Sequence, residues 1–239
     1  MGVRRMNSST KTESYKSKRP VYVVDGCRTP FLSTHGRANA FSAADLAVVA
    51  GRPLLLRQPF EAEAIDEVIL GCVIPAADEV NIARVASLRL GCDPKTPAWT
   101  VQRNCASGMQ ALDTAVRNIQ GGYAGLVLAG GVDAMSRAPF QWRPELVEWM
   151  VDWRKAKGFV EKARCLRRLS ARDLRPVITI LKGLTDPNVG LSMGQTAEEL
   201  AFRFDISRQA MDRYALQSQQ RLGEAQKAHR FDEEITPIF

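Results

Sequence analysis

Residues 101–112 read VQRNCASGMQAL, with one cysteine, Cys105, between a short polar run and the start of an apolar-periodic one. The residues before it, PAWTVQRN (97–104), read as extended chain. After it, Met109, Leu112, Ala115, Val116 and Ile119 recur at helical spacing and mark one helix face, until Gly121-Gly122 ends the run. GLVLAGG (125–131) follows, almost wholly apolar, as expected of a strand covered on both faces.

The same alternation extends outward. PVYVVDGCRTPF (20–31) reads as a buried strand, and IDEVILGCVI (65–74) as a second strand. SAADLAVVAGRPLLL (42–56) has helical spacing behind a candidate cap, Ser42. NIARVASLRLG (81–91) reads as a helix closed by Gly91. Strands and helices at short intervals predict an α/β class with a layered sheet. Residues 136–182, containing Trp, Arg and Pro with weak periodicity, read as an excursion from that core. SRQAMDRYALQSQQRLGEAQKAHRF (207–231) reads as an exposed helix capped by Ser207. The expected organisation is a basic tail at 1–19, a core at 20–135 and a further region at 136–239.

Charge and cysteine usage narrow the classes. Lys and Arg total 33 and Asp and Glu 26, so the formal net charge is 33 − 26 = +7. Residues 1–19 hold six bases against Glu13, which suits a transit peptide or a disordered tail. Residues 154–175 hold nine bases against Glu161 and Asp173. Such a run could meet phosphates, an acidic membrane surface or a partner subunit, or be a solvated face. No aromatic interleaving or motif supports nucleic acid. Cys27, Cys72, Cys92, Cys105 and Cys165 are scattered and odd in number, which argues against a disulfide framework and for a reducing compartment, cytoplasmic or mitochondrial. The two histidines, His35 and His229, are near no cysteine pair, so no metal is expected. No apolar run approaches the roughly 20 residues of a membrane span.

Cys105 itself admits two readings. At the start of a helix, unpaired N–H groups and a partial positive charge favour an anionic sulfur, and Ala106, Ser107 and Gly108 leave room for a substrate. Equally, free cysteine is often a small buried side chain.

Longer stretches carry a resemblance. QRNCASGMQALDTAVRNIQGGYAGLVLAGGVDAMSRAPF (102–140) resembles the nucleophile region of the thiolases. VVDGCRTPF (23–31) resembles their first strand and turn, and GCVIPAADEVNIARVASLRLG (71–91) their second strand and interface helix. GLTDPNVGLSMGQTAEELA (183–201) resembles their loop-domain signature, and FDEEITPI (231–238) the strand after the long helix. The basic stretch before RDLRP is similar to the loop domain of long-chain fatty-oxidation thiolases.

The resemblance implies a layered α/β/α fold, here an N-terminal half with an inserted loop domain. It implies acyl transfer between coenzyme A and a cysteine, cleaving 3-ketoacyl-CoA or condensing acyl-CoAs, with coenzyme A thioesters as substrates and no cofactor. Cys105 matches the nucleophile, with its backbone N–H as an oxyanion donor, and Leu184 and Met193 match positions lining the pantetheine channel. Ser192 falls where many short-chain members carry a histidine. A homodimer or higher oligomer is the family expectation.

Thiolases also continue beyond the point matching Phe239, with an asparagine motif, a Gly-His-Pro histidine and a Cys-x-Gly cysteine that this sequence lacks. The reading that follows is a truncated product, a fragment or a subunit completed by another polypeptide, catalytically incomplete alone and exposing an apolar face.

Overall fold

The computed structural model describes residues 19–33, 37 and 40–238. They form two compact units: residues 19–33, 40–134 and 234–238 make the first, and residues 37 and 135–233 the second. Of the tail expected at 1–19, residues 1–18 lie outside the described residues, as does His35.

The spine of the first unit is β1 (Glu67–Gly71), whose Val-Ile-Leu run is buried on both faces. It pairs in parallel with β2 (Ala98–Val101) on one side and β3 (Val127–Gly131) on the other, giving the order β2-β1-β3. Strand alternation then sorts the layers. Val68, Leu70 and Cys72 pack with Ala43 and Ala44 of α1 (Ala43–Leu56) and Ile82, Ala83 and Ala86 of α2 (Ile82–Leu90). Ile69 turns the other way, onto Ala111 and Ala115 of α3 (Ser107–Gln120). Helices on both faces of a parallel sheet are the layered α/β arrangement expected. Burying each of Val68, Ile69 and Ile82 contributes about 1.5–3 kcal/mol.

Local chemistry sets the helix ends. The Ser42 hydroxyl accepts from the Asp45 N–H (3.1 Å), and the Asp45 carboxylate accepts from the Ser42 N–H (2.9 Å), a reciprocal cap on α1. The buried Glu79 carboxylate accepts from the Ser42 hydroxyl (2.7 Å) and the Ala44 N–H (3.2 Å), so an anion faces the positive end of that helix. Gly91, at φ +89°, ends α2 in the left-handed conformation that glycine adopts without strain.

Three sequence expectations need correction. Residues 20–31 are not a buried strand: Tyr22, Val23 and Val24 are exposed, and only Arg28 pairs, in a single bridge with Ile235. FDEEITPI is likewise reduced to that bridge, with the Arg28 N–H donating to Glu234 C=O (2.7 Å) and the Thr236 N–H to Arg28 C=O (2.8 Å). β-Branched residues favour a pleated surface but do not supply the neighbouring strand. Second, β3 is the edge of the sheet and only partly covered. Third, α3 lays Ser107, Ala111 and Ala115 on the sheet, while Met109, Leu112 and Val116 of the apolar stripe stay exposed. Small side chains let the helix axis come close, and the larger ones cannot share that face.

In the second unit, α4 (Pro144–Lys155) and α5 (Phe159–Arg168) pack through aromatic and polar contacts. Trp149 and Trp153 stack at 5.4 Å, Trp149 Nε1 donates to Cys165 C=O (2.9 Å), and Lys162 Nζ lies 5.6 Å from the Trp153 ring centre. Arg168 pairs with Asp152 at 2.9 Å. The basic stretch 154–175 thus runs from the end of α4 through α5. Two short strands, β4 (Phe140–Gln141) and β5 (Val177–Ile178), pair antiparallel. They are followed by α6 (Thr179–Gly183), α7 (Met193–Arg203) and the exposed α8 (Arg208–Lys227), which Ser207 caps through the Ala210 N–H.

Candidate active site

Three glycines bring the first turn of α3 against the carboxyl ends of the strands. A Cβ on Gly71, the last residue of β1, would lie 2.5 Å from the Gly108 nitrogen. One on Gly131, the last residue of β3, would lie 2.9 Å from Gly108 Cα. No side chain larger than hydrogen fits at either strand end without moving α3. The carboxyl edge of an open parallel sheet is where α/β proteins place ligands, and this close approach puts Cys105 beside that edge.

The turn between β2 and α3 is held from inside. Asn104 takes φ +48°, a left-handed value that asparagine tolerates better than most residues. The buried Ser107 hydroxyl donates to Asn104 C=O (2.6 Å) and accepts from the Arg103 N–H (2.8 Å). The Ala106 and Ser107 N–H groups donate to Arg103 and Asn104 C=O at 3.1 and 3.0 Å. Cys105 sits on the outside of this clamp, exposed, one residue before the N-cap Ala106 rather than inside the helix. Its N–H has no acceptor among the described residues, and its backbone forms an isolated bridge with that of Arg103. The reading of Ala106, Ser107 and Gly108 as space for a substrate is corrected in part. Ser107 is buried as the clamp and Gly108 packs on the strand ends, leaving Ala106 exposed beside Cys105.

Asp133, two residues past β3, ties down the next loop. Its carboxylate accepts from the N–H groups of Val73 (2.9 Å) and Ile74 (3.0 Å) and from the Cys72 thiol (3.4 Å). Burial, and then the Asp133 charge, push the Cys72 thiol up to about 12, so Cys72 stays protonated. Burial raises the Cys92 and Cys27 thiols as well. Of the five cysteines, all free, Cys105 alone is exposed, Cys27 and Cys165 being half-buried.

Leu184 and Met193 lie in the second unit, and the structure brings them together. The Met193 N–H donates to Leu184 C=O at 3.0 Å, and both side chains are about half exposed. Ser192 caps α7: its hydroxyl accepts from the Gln195 N–H (3.3 Å), and its own N–H donates to Gln195 Oε1 (2.9 Å). His229 is exposed and pairs with Asp232 at 3.0 Å. The interface-like helix, α2, packs its buried stripe on α1 and the sheet. Among the described residues no group of His, Cys, Asp and Glu is arranged to hold a metal, and no helix is long and apolar enough to cross a membrane.

Residue-level reading of the sequence missed Asn104, Ser107, Gly71, Gly131 and Asp133. The glycines ending two apolar strands, in ILGC and LAGG, were the available signal, since a glycine there marks a close backbone approach.

Known proteins share this chain's sequence pattern and fold. Residues 21–239 match the family model for the thiolase N-terminal domain. The chain is 37% identical over 226 residues to the mitochondrial 3-ketoacyl-CoA thiolase of Mus musculus, covering 92% of this chain and 51% of that protein. It is 39% identical over 223 residues to the 3-oxoadipyl-CoA/3-oxo-5,6-dehydrosuberyl-CoA thiolase of Escherichia coli (strain K12), covering 92% and 52%. Among solved structures, human mitochondrial 3-ketoacyl-CoA thiolase in complex with CoA aligns with a TM-score of 0.73 at 34% identity, over 89% of this chain and 49% of that one. The acetyl-CoA acetyltransferase of Bacillus anthracis aligns with a TM-score of 0.71 at 31% identity, over 88% and 48%. The chain spans about half the length of these relatives, and over that span it belongs to the thiolase family by its N-terminal domain.

Proposed function

We propose that the chain carries the nucleophile of a thiolase-type acyl-CoA acyltransferase, with Cys105 as the acyl acceptor. The observation that carries the reading is the position of Cys105: exposed, at the carboxyl edge of the parallel sheet, on a clamped turn, with no acceptor for its own N–H among the described residues. In the proposed step the Cys105 thiolate attacks the thioester carbonyl. A bond forms from Sγ to that carbon, the bond to the CoA sulfur breaks, and CoA leaves as its thiolate. Between the two events the carbonyl oxygen carries negative charge, and the Cys105 N–H is assigned as a donor to it on the strength of the family resemblance. Covalent capture divides the overall transfer into two acyl exchanges and predicts ping-pong kinetics.

Leu184 and Met193 are assigned to the pantetheine channel on the strength of the family resemblance and of their mutual contact and exposure. Residues 20–135 are assigned as the core and residues 136–239 as the loop-domain region. Coenzyme A thioesters serve as substrates, with no cofactor, in a homo-oligomer of a reducing compartment, cytoplasmic or mitochondrial, which suits five free thiols.

One observation favours a second reading, a chain that binds CoA or a partner without completing the reaction. Met109, Leu112 and Val116 leave an apolar stripe of α3 uncovered.

Intact mass after incubation with acetyl-CoA or acetoacetyl-CoA separates the two. An acyl adduct on the wild type and none on Cys105→Ala supports the nucleophile. A folded, soluble chain that gains no mass supports the second.

A further inference from the structure

Residues 154–175 hold nine Lys and Arg against two acids, a net charge of 9 − 2 = +7. Both acids are engaged by backbone: the Glu161 carboxylate accepts from the Lys157 N–H (2.9 Å) and the Asp173 carboxylate from the Ser170 N–H (2.9 Å). Among the bases, Arg168 pairs with Asp152 and Lys162 lies over the Trp153 ring, whereas Arg164 and Arg167 form no ion pair among the described residues. The run centres on α5, and α4 fixes which way α5 turns. Lys162, Cys165 and Arg168 stand at i, i+3 and i+6, and they meet Trp153, Trp149 and Asp152 of α4, Cys165 through its C=O. They mark the inner face, and Cys165 is the one half-buried residue of α5.

At about 100° per residue, Phe159, Val160 and Ala163 fall on the opposite face with Arg167 among them, and Leu166 and Arg164 stand at its two borders. Phe159 is 89% exposed, Val160 70% and Leu166 55%. An ordinary surface helix turns its apolar residues to the core and its charges to water. α5 does the reverse: its ionic contacts point inward and its largest apolar side chains outward. An outward apolar stripe bordered by cations is the pattern of a helix lying in the plane of a membrane interface, with its apolar side chains down and its cations among the headgroup phosphates. A flat surface suits it better than a groove. α4 already holds the inner face, so a protein that encloses the helix would have to displace those contacts, whereas a bilayer needs only the outer half.

We propose that α5 is a peripheral docking helix for an anionic phospholipid surface. Phe159, Val160 and Leu166 enter the interface, and Arg164 and Arg167 meet the lipid phosphates. Charge complementarity names the occupant: two unpaired guanidinium groups in a stretch of net charge +7 call for a dense array of anions beside an apolar phase, which such a bilayer presents. The helix has ten residues, about 15 Å, so it lies on the surface and the contact is reversible. The inference does not depend on the chemistry of Cys105, and Cys105→Ala leaves the docking intact.

The test is co-sedimentation of the chain with phosphatidylcholine vesicles, with and without phosphatidylglycerol. Binding to the phosphatidylglycerol vesicles should be at least about tenfold tighter than to phosphatidylcholine alone. It should weaken as salt approaches about 1 M, where the screening length falls to about 3 Å. Arg164→Gln combined with Arg167→Gln should weaken it at least about tenfold, and so should Phe159→Ser combined with Val160→Ser. All four side chains are exposed, so both variants should keep the wild-type circular dichroism. Equal affinity for the two kinds of vesicle overturns the proposal. Sedimentation with neither overturns it in favour of an acidic protein groove. Binding that survives the Phe159 and Val160 substitutions means attraction without insertion, and overturns it as well. Loss of self-association in the variants, with vesicle binding unchanged, would make a second copy the occupant and also overturn it.

Discussion

Gly131 lies so close to α3 that a methyl group added to it would sit 2.9 Å from Cα of Gly108, whereas one added to Gly108 would stand 3.6 Å from Cα of Gly131. The contact is tight from one side only. Gly131→Ala pushes into the first turn of α3 and should cost about 1–3 kcal/mol, as overpacking does. Gly108→Ala meets ordinary van der Waals contact inside a helix, where alanine is favoured over glycine by about 1 kcal/mol. It should be neutral or stabilising. Urea unfolding of the two variants checks the asymmetry, and equal losses would mean that the helix is not seated as described.

Ser107→Ala removes the acceptor for the Arg103 N–H and one of the two donors to Asn104 C=O. The expected loss is about 0.5–1.5 kcal/mol, the net worth of a typical intramolecular hydrogen bond. The acyl adduct on Cys105 should form at least several-fold more slowly, because the turn that presents the sulfur loosens. Adduct formation at the wild-type rate would assign Ser107 to stability alone.

Thiol labelling separates the cysteines. Alkylation by iodoacetamide at pH 8 needs access and a thiolate. Cys105 is exposed, whereas Cys72 is buried with its thiol held near 12 and Cys92 is buried with its thiol raised. Cys105 should label first, and Cys72 and Cys92 only when urea unfolds the chain. Peptide mapping reads the order, and early labelling of Cys72 would contradict its burial beside Asp133.

Asp66 links stability to acid. Its carboxylate accepts from the N–H groups of Leu126 (2.9 Å) and Gly125 (2.7 Å), which lower its pKa in the folded chain. An unfolded aspartate titrates near about 3.9. The stabilisation is therefore complete above that value and is lost as pH falls from it through the folded value. Asp66→Asn should reduce stability at pH 7 and flatten its fall below about pH 4, where the unfolded aspartate titrates. An unchanged acid slope in the variant would place the acid sensitivity elsewhere. Asp25, held low by Arg57 and by the Gly26 N–H, and Asp45, held low mainly by the Ser42 N–H, are the next residues to substitute.

The caps show how much of the fold is local. Ser42 with Asp45, Gly91 and Ser207 act where the sequence places them, because a side chain reaching its own helix end depends on residues three or four away. Cys105 is also locally legible, as the residue where an extended run gives way to a helix. Its support is not: Gly71 and Gly131 lie 34 and 26 positions from it in the chain, and no periodicity within either segment indicates that both strand ends touch one helical turn.

Sequence alone determined the α/β class, the order of elements and the cysteine at their junction, since helix period, strand composition and caps are properties of neighbouring residues. Only the tertiary structure decided which face of α3 lies on the sheet, and why Val21–Val24 is an exposed segment rather than a strand. It also decided how Asp133 comes to hold both the loop after β1 and the Cys72 thiol. A strand exists through its partner, and a helix face is buried by what approaches it. Both depend on contacts between residues far apart in sequence, which local patterns do not encode.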